Sequence, residues 1–287
     1  MGVCEVKSMN PPTEMGSLFG QEPEKSEEER TWLLVTYYPV SLFSLRTTYA
    51  TSKGGKTLLV PTPYAVKMAL LDACFRCFDP PSAATQAVRV FDLIKQRDFR
   101  FRPPKHCLVQ HTFIKILEPT RGEDGQAKEE DGQSTASPFK STVAYREFAY
   151  FDGELTIAID ASDWSDEETA LIQKLAACVN SFGKRGSFWQ YASFKTCKGP
   201  LPFGFTCPHD KINENATSHL AFLMTQALDD FGEELCKDKQ GFQRVNTYAE
   251  KSIELGKHRV LKLTAVPYRR VAAGRHFTWY RREDNPI

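Results

Sequence analysis

Apolar residues recur along this chain at two spacings, and the switches between them lay out its elements. "WLLVTYYPVSLFSL", Trp32 to Leu45, is aromatic and β-branched and reads as a strand, with Pro39 marking an edge or a bulge. The polar loop "RTTYATSKGGKT" follows, residues 46–57. The spacing then becomes helical. Thr62 stands as a cap and Pro63 as the first helical residue, with Val66, Leu70, Ala73 and Cys77 on one face and Met68, Leu71, Phe75 and Phe78 on another. A helix apolar on both faces is a buried one. Asp79-Pro80-Pro81 ends it, and a second helix runs from about Ser82 through Ala84, Ala87, Val88, Phe91 and Ile94.

His106 to Leu117 reads as a strand. "TVAYREFAYFDGELTIAID" reads as a β-hairpin turning on Asp152-Gly153, with Leu155, Ile157 and Ile159 alternating after the turn. Ser165 and Glu168 form a capping box. The helix it opens carries Leu171, Leu175, Cys178, Val179 and Phe182, and runs into "NSFGKRGSFWQY", residues 180–191, where a strand begins. Beyond residue 200 a Pro/Gly-rich start leads to a helix expected around 216–236, on the spacing of Leu220, Leu223, Met224, Ala227, Phe231 and Leu235. Strands follow at 258–267 and 275–282. The order approximates the βαββαβ pattern of a ferredoxin-like (RRM-like) α+β fold. We divide the chain into an acidic flexible leader (1–30), a ferredoxin-like domain (31–199) with an unstructured insertion at 118–138, and a C-terminal α/β extension (200–287).

Composition is that of an ordinary globular protein, 41% hydrophobic and 25% charged. No apolar run approaches the ~18–20 residues of a membrane span, so an intracellular, cytoplasmic protein without a membrane partner is expected. The net charge of +1 hides a strong asymmetry. Residues 21–30 are net −3 and residues 118–132 net −4, which leaves +8 for the rest of the chain. Residues 257–282 carry eight Lys/Arg and no acid. A basic body with acidic appendages suits an anionic partner.

The eight cysteines are scattered and suit a reduced compartment. Cys74-x-x-Cys77 admits two readings, core thiols within a helix or half of a zinc site completed by Cys197, Cys207 and His209. The residues imply no cofactor. None of the six histidines sits in a hydrolase, zinc-protease or P-loop motif. His, Lys and Tyr suitable for a metal-independent ribonuclease are present, but no set is singled out.

Nucleic-acid binding gathers the most features. Arg46, Tyr49, Lys53 and Lys56 share a loop with Gly54-Gly55. Tyr145 and Arg146 sit among aromatics. Lys184 and Arg185 lie between Gly183 and Gly186. The run "YRRVAAGRHFTWYRR" interleaves Arg269 and Arg270 with rings. Cations hold phosphates and rings stack bases. The rings also read as core strand residues, Phe188 and Phe277 above all.

"SLFSLRTTYA" followed by "LLVPTPYAVKMALLDA", with "AYREFAYFDGELTIAI" and "FGKRGSF", resembles the Cas-five-type subunits of type I CRISPR Cascade complexes, members of the RAMP superfamily. The resemblance covers roughly residues 32–195. It implies a non-catalytic, antiviral RNA-binding subunit that caps the 5′ handle of the CRISPR RNA. Its other contacts would be the backbone and large subunits of the complex, and the target DNA. The handle-contacting positions it implies are Arg46, Lys53, Lys56, Tyr145, Arg146, Lys184 and Arg185. One branch of the superfamily cleaves precursor RNA, which makes a metal-independent endoribonuclease the alternative. A protein-interaction subunit with no RNA contact is the other.

Overall fold

A computed structural model describes residues 26–51, 54–119, 139–183, 186–211 and 223–284. Most of the acidic leader and of the insertion therefore lies outside the described residues. The architecture is α+β. The strands are β1 (Thr31–Pro39), β2 (Leu45–Arg46), β3 (Gly54–Gly55), β4 (Thr57–Leu58), β5 (Phe99–Arg102), β6 (His106–Pro119), β7 (Phe139–Phe151), β8 (Leu155–Asp160), β9 (Trp189–Lys198), β10 (Cys207–Pro208), β11 (Met224–Phe231), β12 (Arg259–Val266), β13 (Tyr268–Ala273) and β14 (Phe277–Arg282). The helices are α1 (Pro63–Cys77), α2 (Pro80–Ile94), α3 (Asp166–Cys178) and two short ones, α4 (Glu233–Lys237) and α5 (Gly241–Val245).

One four-stranded sheet has the order β5-β8-β1-β9, with every pair antiparallel. α1 and α2 connect β1 to β5, and α3 connects β8 to β9. The helix starts follow the sequence closely. Thr62 Oγ1 accepts the Ala65 N–H at 3.1 Å, with Pro63 in the first turn. Ser165 and Glu168 satisfy each other's backbone N–H groups, at 3.3 and 2.8 Å. α2 begins at Pro80 rather than Ser82, because prolines in a first turn give up only N–H groups that have no intrahelical partner.

A five-stranded sheet, β13-β14-β6-β7-β3, joins the middle of the chain to its C-terminal end. Here the expected hairpin is corrected. β7 pairs with β6, from Cys107↔Phe151 to Pro119↔Phe139, while β8 pairs with β1 and β5 in the other sheet. Asp152-Gly153 is a true reversal, with Gly153 at φ +128°, but it carries the chain from one sheet to the other. Turn chemistry fixes the reversal; burial selects the partner. Leu155, Ile157, Ala158 and Ile159 are all buried, which only a central strand covered on both faces requires.

The helix expected at 216–236 is also corrected. Met224–Phe231 is β11, paired with β12 from Met224↔Val266 to Phe231↔Arg259, and among the described residues of that stretch helix begins only at Glu233, in Glu233–Lys237. Residues 212–222 lie outside the described residues. The apolar spacing there fits a helix, but two consecutive buried acids, Asp229 and Asp230, need partners on opposite sides, and a strand supplies that alternation. β13, not expected from the sequence, pairs with β14.

Asp230 meets Lys67, a fully buried lysine in the middle of α1. Lys67 Nζ donates to Asp230 Oδ1 at 2.7 Å and to the Lys95 carbonyl at 3.1 Å. The rings of Phe99 and Phe231 flank the ammonium, with centroids at 5.2 and 5.3 Å. Asp230 also accepts the Phe231 N–H at 2.8 Å and Lys262 Nζ at 3.3 Å.

Removing Asp230 leaves the Lys67 ammonium a buried, uncompensated charge, whereas removing Lys67 leaves Asp230 with Lys262 and the Phe231 N–H. Asp230→Ala should therefore lower stability in urea unfolding by about 3–5 kcal/mol, and Lys67→Met by less, with a smaller loss still when both are replaced by apolar residues. Arg89→Ala, which breaks the exposed pair with Glu167, should cost no more than about 1 kcal/mol. Alkaline stability provides a second check. Tyr37 and Tyr268 are buried and donate to the Ala176 and Pro104 carbonyls, each at 2.8 Å. Burial pushes both phenols above their ordinary range. The folded state therefore holds protons that an unfolded chain releases. Stability should be intact below about pH 10 and fall as the pH rises beyond it, less steeply in Tyr268→Phe.

Candidate nucleic-acid interface

Two grooves open on either side of the loop that follows β2. The larger has a volume of about 870 Å³ and runs between that loop, α1 and the 180–188 segment. Arg46 stands at its edge. Its Nη2 donates to the Thr51 carbonyl at 2.7 Å and so closes the base of the loop. Its buried Nε has no acceptor among the described residues. Across the groove, a bridge between Ser181 and Phe188 closes the glycine turn. Gly183 and Gly186 adopt φ +68° and +107°, with open space where a Cβ would lie. The backbone conformation alone therefore demands glycine. Lys184 and Arg185, between them, lie outside the described residues, as does Lys53. Phe188 is 51% exposed at the groove wall and Phe277 is 41% exposed, so neither is a core residue. Trp189 takes the buried place instead, beside Phe43, Phe151 and Phe182.

Sequence reading missed two arginines of this groove. Arg76 bonds Asp72 Oδ2 and the Cys178 carbonyl, each at 2.8 Å. Arg259 pairs with Asp229, bonds Thr48 Oγ1 at 3.1 Å, and lies 4.0 Å above the Tyr64 ring. Arg76 shows only as a helical i,i+4 partner of Asp72, and Arg259 as one member of a basic run.

The smaller groove, about 420 Å³, is lined by Lys56, Tyr145 and Arg270 of the expected residues, and by His111 and Glu147, which the sequence did not single out. Lys56 and Arg270 are exposed and form no ion pair among the described residues. The Tyr145 hydroxyl donates to Glu147 Oε1 at 2.9 Å. Burial first, then Glu147, pushes this phenol up to about 12. Glu147 Oε2 accepts the Thr57 N–H at 2.9 Å, and His111 Nε2 lies 3.2 Å from Thr278 Oγ1. Arg146, next along β7, does not line this groove. It donates to the Tyr145 carbonyl at 2.7 Å, and its side chain packs over Gly55, where a Cβ would fall 3.0 Å from its Cδ. Arg269 is tied to Glu283 at 3.0 Å. Arg46 and the glycine turn thus share one groove, Lys56, Tyr145 and Arg270 the other, and Arg146 and Arg269 line neither.

Among the described residues no group of three or more His, Cys, Asp or Glu is arranged to hold a metal ion. Cys74 and Cys77 have thiols pushed up to about 12 and about 11, chiefly by burial. A thiol held protonated is a poor metal ligand. Burial also raises Cys207, while His209 Nε2 lies 3.3 Å from Thr225 Oγ1. No helix among the described residues is long and apolar enough to cross a membrane.

No family model matches the chain. A curated CRISPR-associated protein Cas5 from Archaeoglobus fulgidus is 21% identical over 221 residues, spanning 77% of this chain and 86% of the relative. A crystal structure of a CRISPR protein from Archaeoglobus fulgidus aligns with a TM-score of 0.37 at 12% identity, covering 88% of this chain and 92% of that one. A chain of a CRISPR RNA-guided surveillance complex aligns at 0.34 and 14% identity, covering 82% and 88%. At these scores neither likeness establishes a common fold. The sequence match stands by itself: over most of its length this chain is similar to a CRISPR-associated protein Cas5, of the family that its strand, helix-start and glycine-turn motifs resemble.

Proposed function

We propose that this chain is a Cas-five-type, non-catalytic subunit of a type I CRISPR effector complex and grips the 5′ handle of the guide RNA in the larger groove. The observation that carries the reading is the convergence at that groove of Arg46, the exposed Phe188 and the glycine turn that bears Lys184 and Arg185. The sheet order β5-β8-β1-β9, with its helical connections, supports a ferredoxin-like unit within residues 31–199, into whose neighbouring sheet β13 and β14 from beyond residue 200 are built. In a complex of this kind base pairing with the guide reads the target DNA, and the protein reads backbone and shape. Backbone and large subunits would be its protein partners.

A second reading, metal-independent cleavage of CRISPR precursor RNA, is favoured by the smaller groove, where His111, Tyr145 and Lys56 line one cavity.

Binding of a labelled CRISPR repeat RNA at several salt concentrations tests the first reading. Lys184→Ala/Arg185→Ala should weaken binding at least tenfold and flatten the salt slope by about 1.4, the loss of two single-strand phosphate contacts. Salt-independent binding, unchanged in the variant, would instead indicate a subunit held only by protein contacts. Discrete cleavage without metal, abolished by His111→Ala, would establish the second reading.

A further inference from the structure

The smaller groove differs from the larger in one respect that bears on what enters it: the carboxylates lining the larger, Asp72 and Asp229, are paired with Arg76 and Arg259, whereas among the described residues Glu147 of the smaller pairs with no cation and the unpaired cations are at the rim. Lys56 and Arg270 are exposed at its mouth. Glu147 stands within, beside Tyr145, His111 and Tyr280, over a floor that includes Val109 and Leu58. A phosphate driven onto that floor would meet Glu147 and be repelled. A phosphate held at the rim would meet Lys56 and Arg270. A volume of about 420 Å³ is within the range of small-ligand sites, about 300–1,000 Å³.

Glu147 is also fixed in place. Oε1 accepts the Tyr145 hydroxyl at 2.9 Å and Oε2 the Thr57 N–H at 2.9 Å. An ionised carboxylate has about four acceptor sites, so each oxygen keeps one. The Glu147 side chain is therefore a rigid pair of acceptors in a ring-lined cleft with cations at its entrance. Such a pair matches adjacent donors on a base edge. Guanine offers N1–H and the 2-amino group side by side, whereas uracil flanks its single N–H with two carbonyl acceptors.

We infer that the smaller groove is a base-reading subsite for one unstacked nucleotide of a bound single-stranded RNA, and that Glu147 selects guanine over uracil there. The inference rests on the RNA-binding reading above and adds a specificity residue to it. Tyr145 and Tyr280 supply ring surface for the base, and Lys56 and Arg270 hold its phosphate. Tyr145 acts as a positioning residue, since its phenol holds the carboxylate rather than the base.

The test uses the full chain and fluorescence anisotropy with uridine octamers carrying guanosine, inosine or 1-methylguanosine at every third position, beside the all-uridine RNA. Guanosine RNA should bind about tenfold tighter than uridine RNA, as expected for two hydrogen bonds to a charged acceptor. Inosine, which lacks the amino group, should fall between them. 1-Methylguanosine, which keeps the ring but blocks N1–H, should bind no better than uridine; this comparison requires no variant. Glu147→Gln should reduce the guanosine preference to less than about twofold. Lys56→Ala/Arg270→Ala should weaken all four RNAs alike and flatten the salt slope by about 1.4. Equal, salt-dependent binding of the four RNAs to wild type would remove the base subsite and leave the RNA reading standing. A guanosine preference that persists in Glu147→Gln would reduce Glu147 to a structural support for Thr57 and Tyr145. Absence of salt-dependent binding to any of the RNAs would overturn both readings.

Discussion

β11 is held to the rest of the molecule by two adjacent aspartates facing opposite ways, and the shape of both grooves depends on that attachment. Asp230 points to the ammonium of Lys67 within α1, and Asp229 to Arg259 and the Thr48 hydroxyl. Both acids are largely buried, so each is stabilised by its partner. A buried ion pair adds little net stability over a well-packed apolar pair, but it tolerates far less displacement. Lys67 has one place to put its charge, which fixes β11 over α1. Asp229 and Arg259 then line the larger groove, and Met224, Gln226 and Ala227 the smaller. Gln226 Oε1 accepts the Leu59 N–H at 2.9 Å, which ties the same strand to the segment between β4 and α1.

The two grooves share a wall, the loop between β2 and β4, and divide their electrostatics unequally. In the larger groove the described arginines 76 and 259 are engaged by Asp72 and Asp229 and shape the walls. Arg46, the third described arginine there, bonds only the Thr51 carbonyl and forms no ion pair among the described residues. In the smaller groove the cations at the rim are uncommitted and the interior is anionic. On the RNA-binding reading proposed above, one anionic polymer would be held by its backbone at both places, while its bases met an aromatic wall in the first and hydrogen-bond acceptors in the second.

Much of this was legible in the sequence where a local rule decides the outcome. Thr62-Pro63 and Ser165 with Glu168 start helices because their own side chains or rings satisfy the first turn. Gly183 is required by its φ, and glycine supplies it without strain. The sequence was less informative where the deciding partner lies far along the chain. Asp152-Gly153 announces a reversal, yet β8 leaves β7 because β1 and β5 offer it two covered faces. The apolar spacing through 224–231 continues a helical pattern, yet Lys67 and Arg259, distant in sequence, hold Met224–Phe231 as a strand. The site divided in the same way. Arg46, Lys56, Tyr145 and Arg270 were recognisable as cations and rings in basic or glycine-rich stretches. Glu147 was not, because a lone acid in a strand has no signal until the cavity around it is seen.

The five-stranded sheet brings the two ends of a long interval together: β14 lies beside β6, with Phe277↔Gln110 through Arg281↔His106 in register. During synthesis the β6–β7 hairpin is complete long before residues 277–282 leave the ribosome. Until then the backbone of residues 106–110 is an open edge, able to template pairing with another chain. The last strand thus acts as a lid on a nascent intermediate, and chains released before it is made would expose that edge permanently.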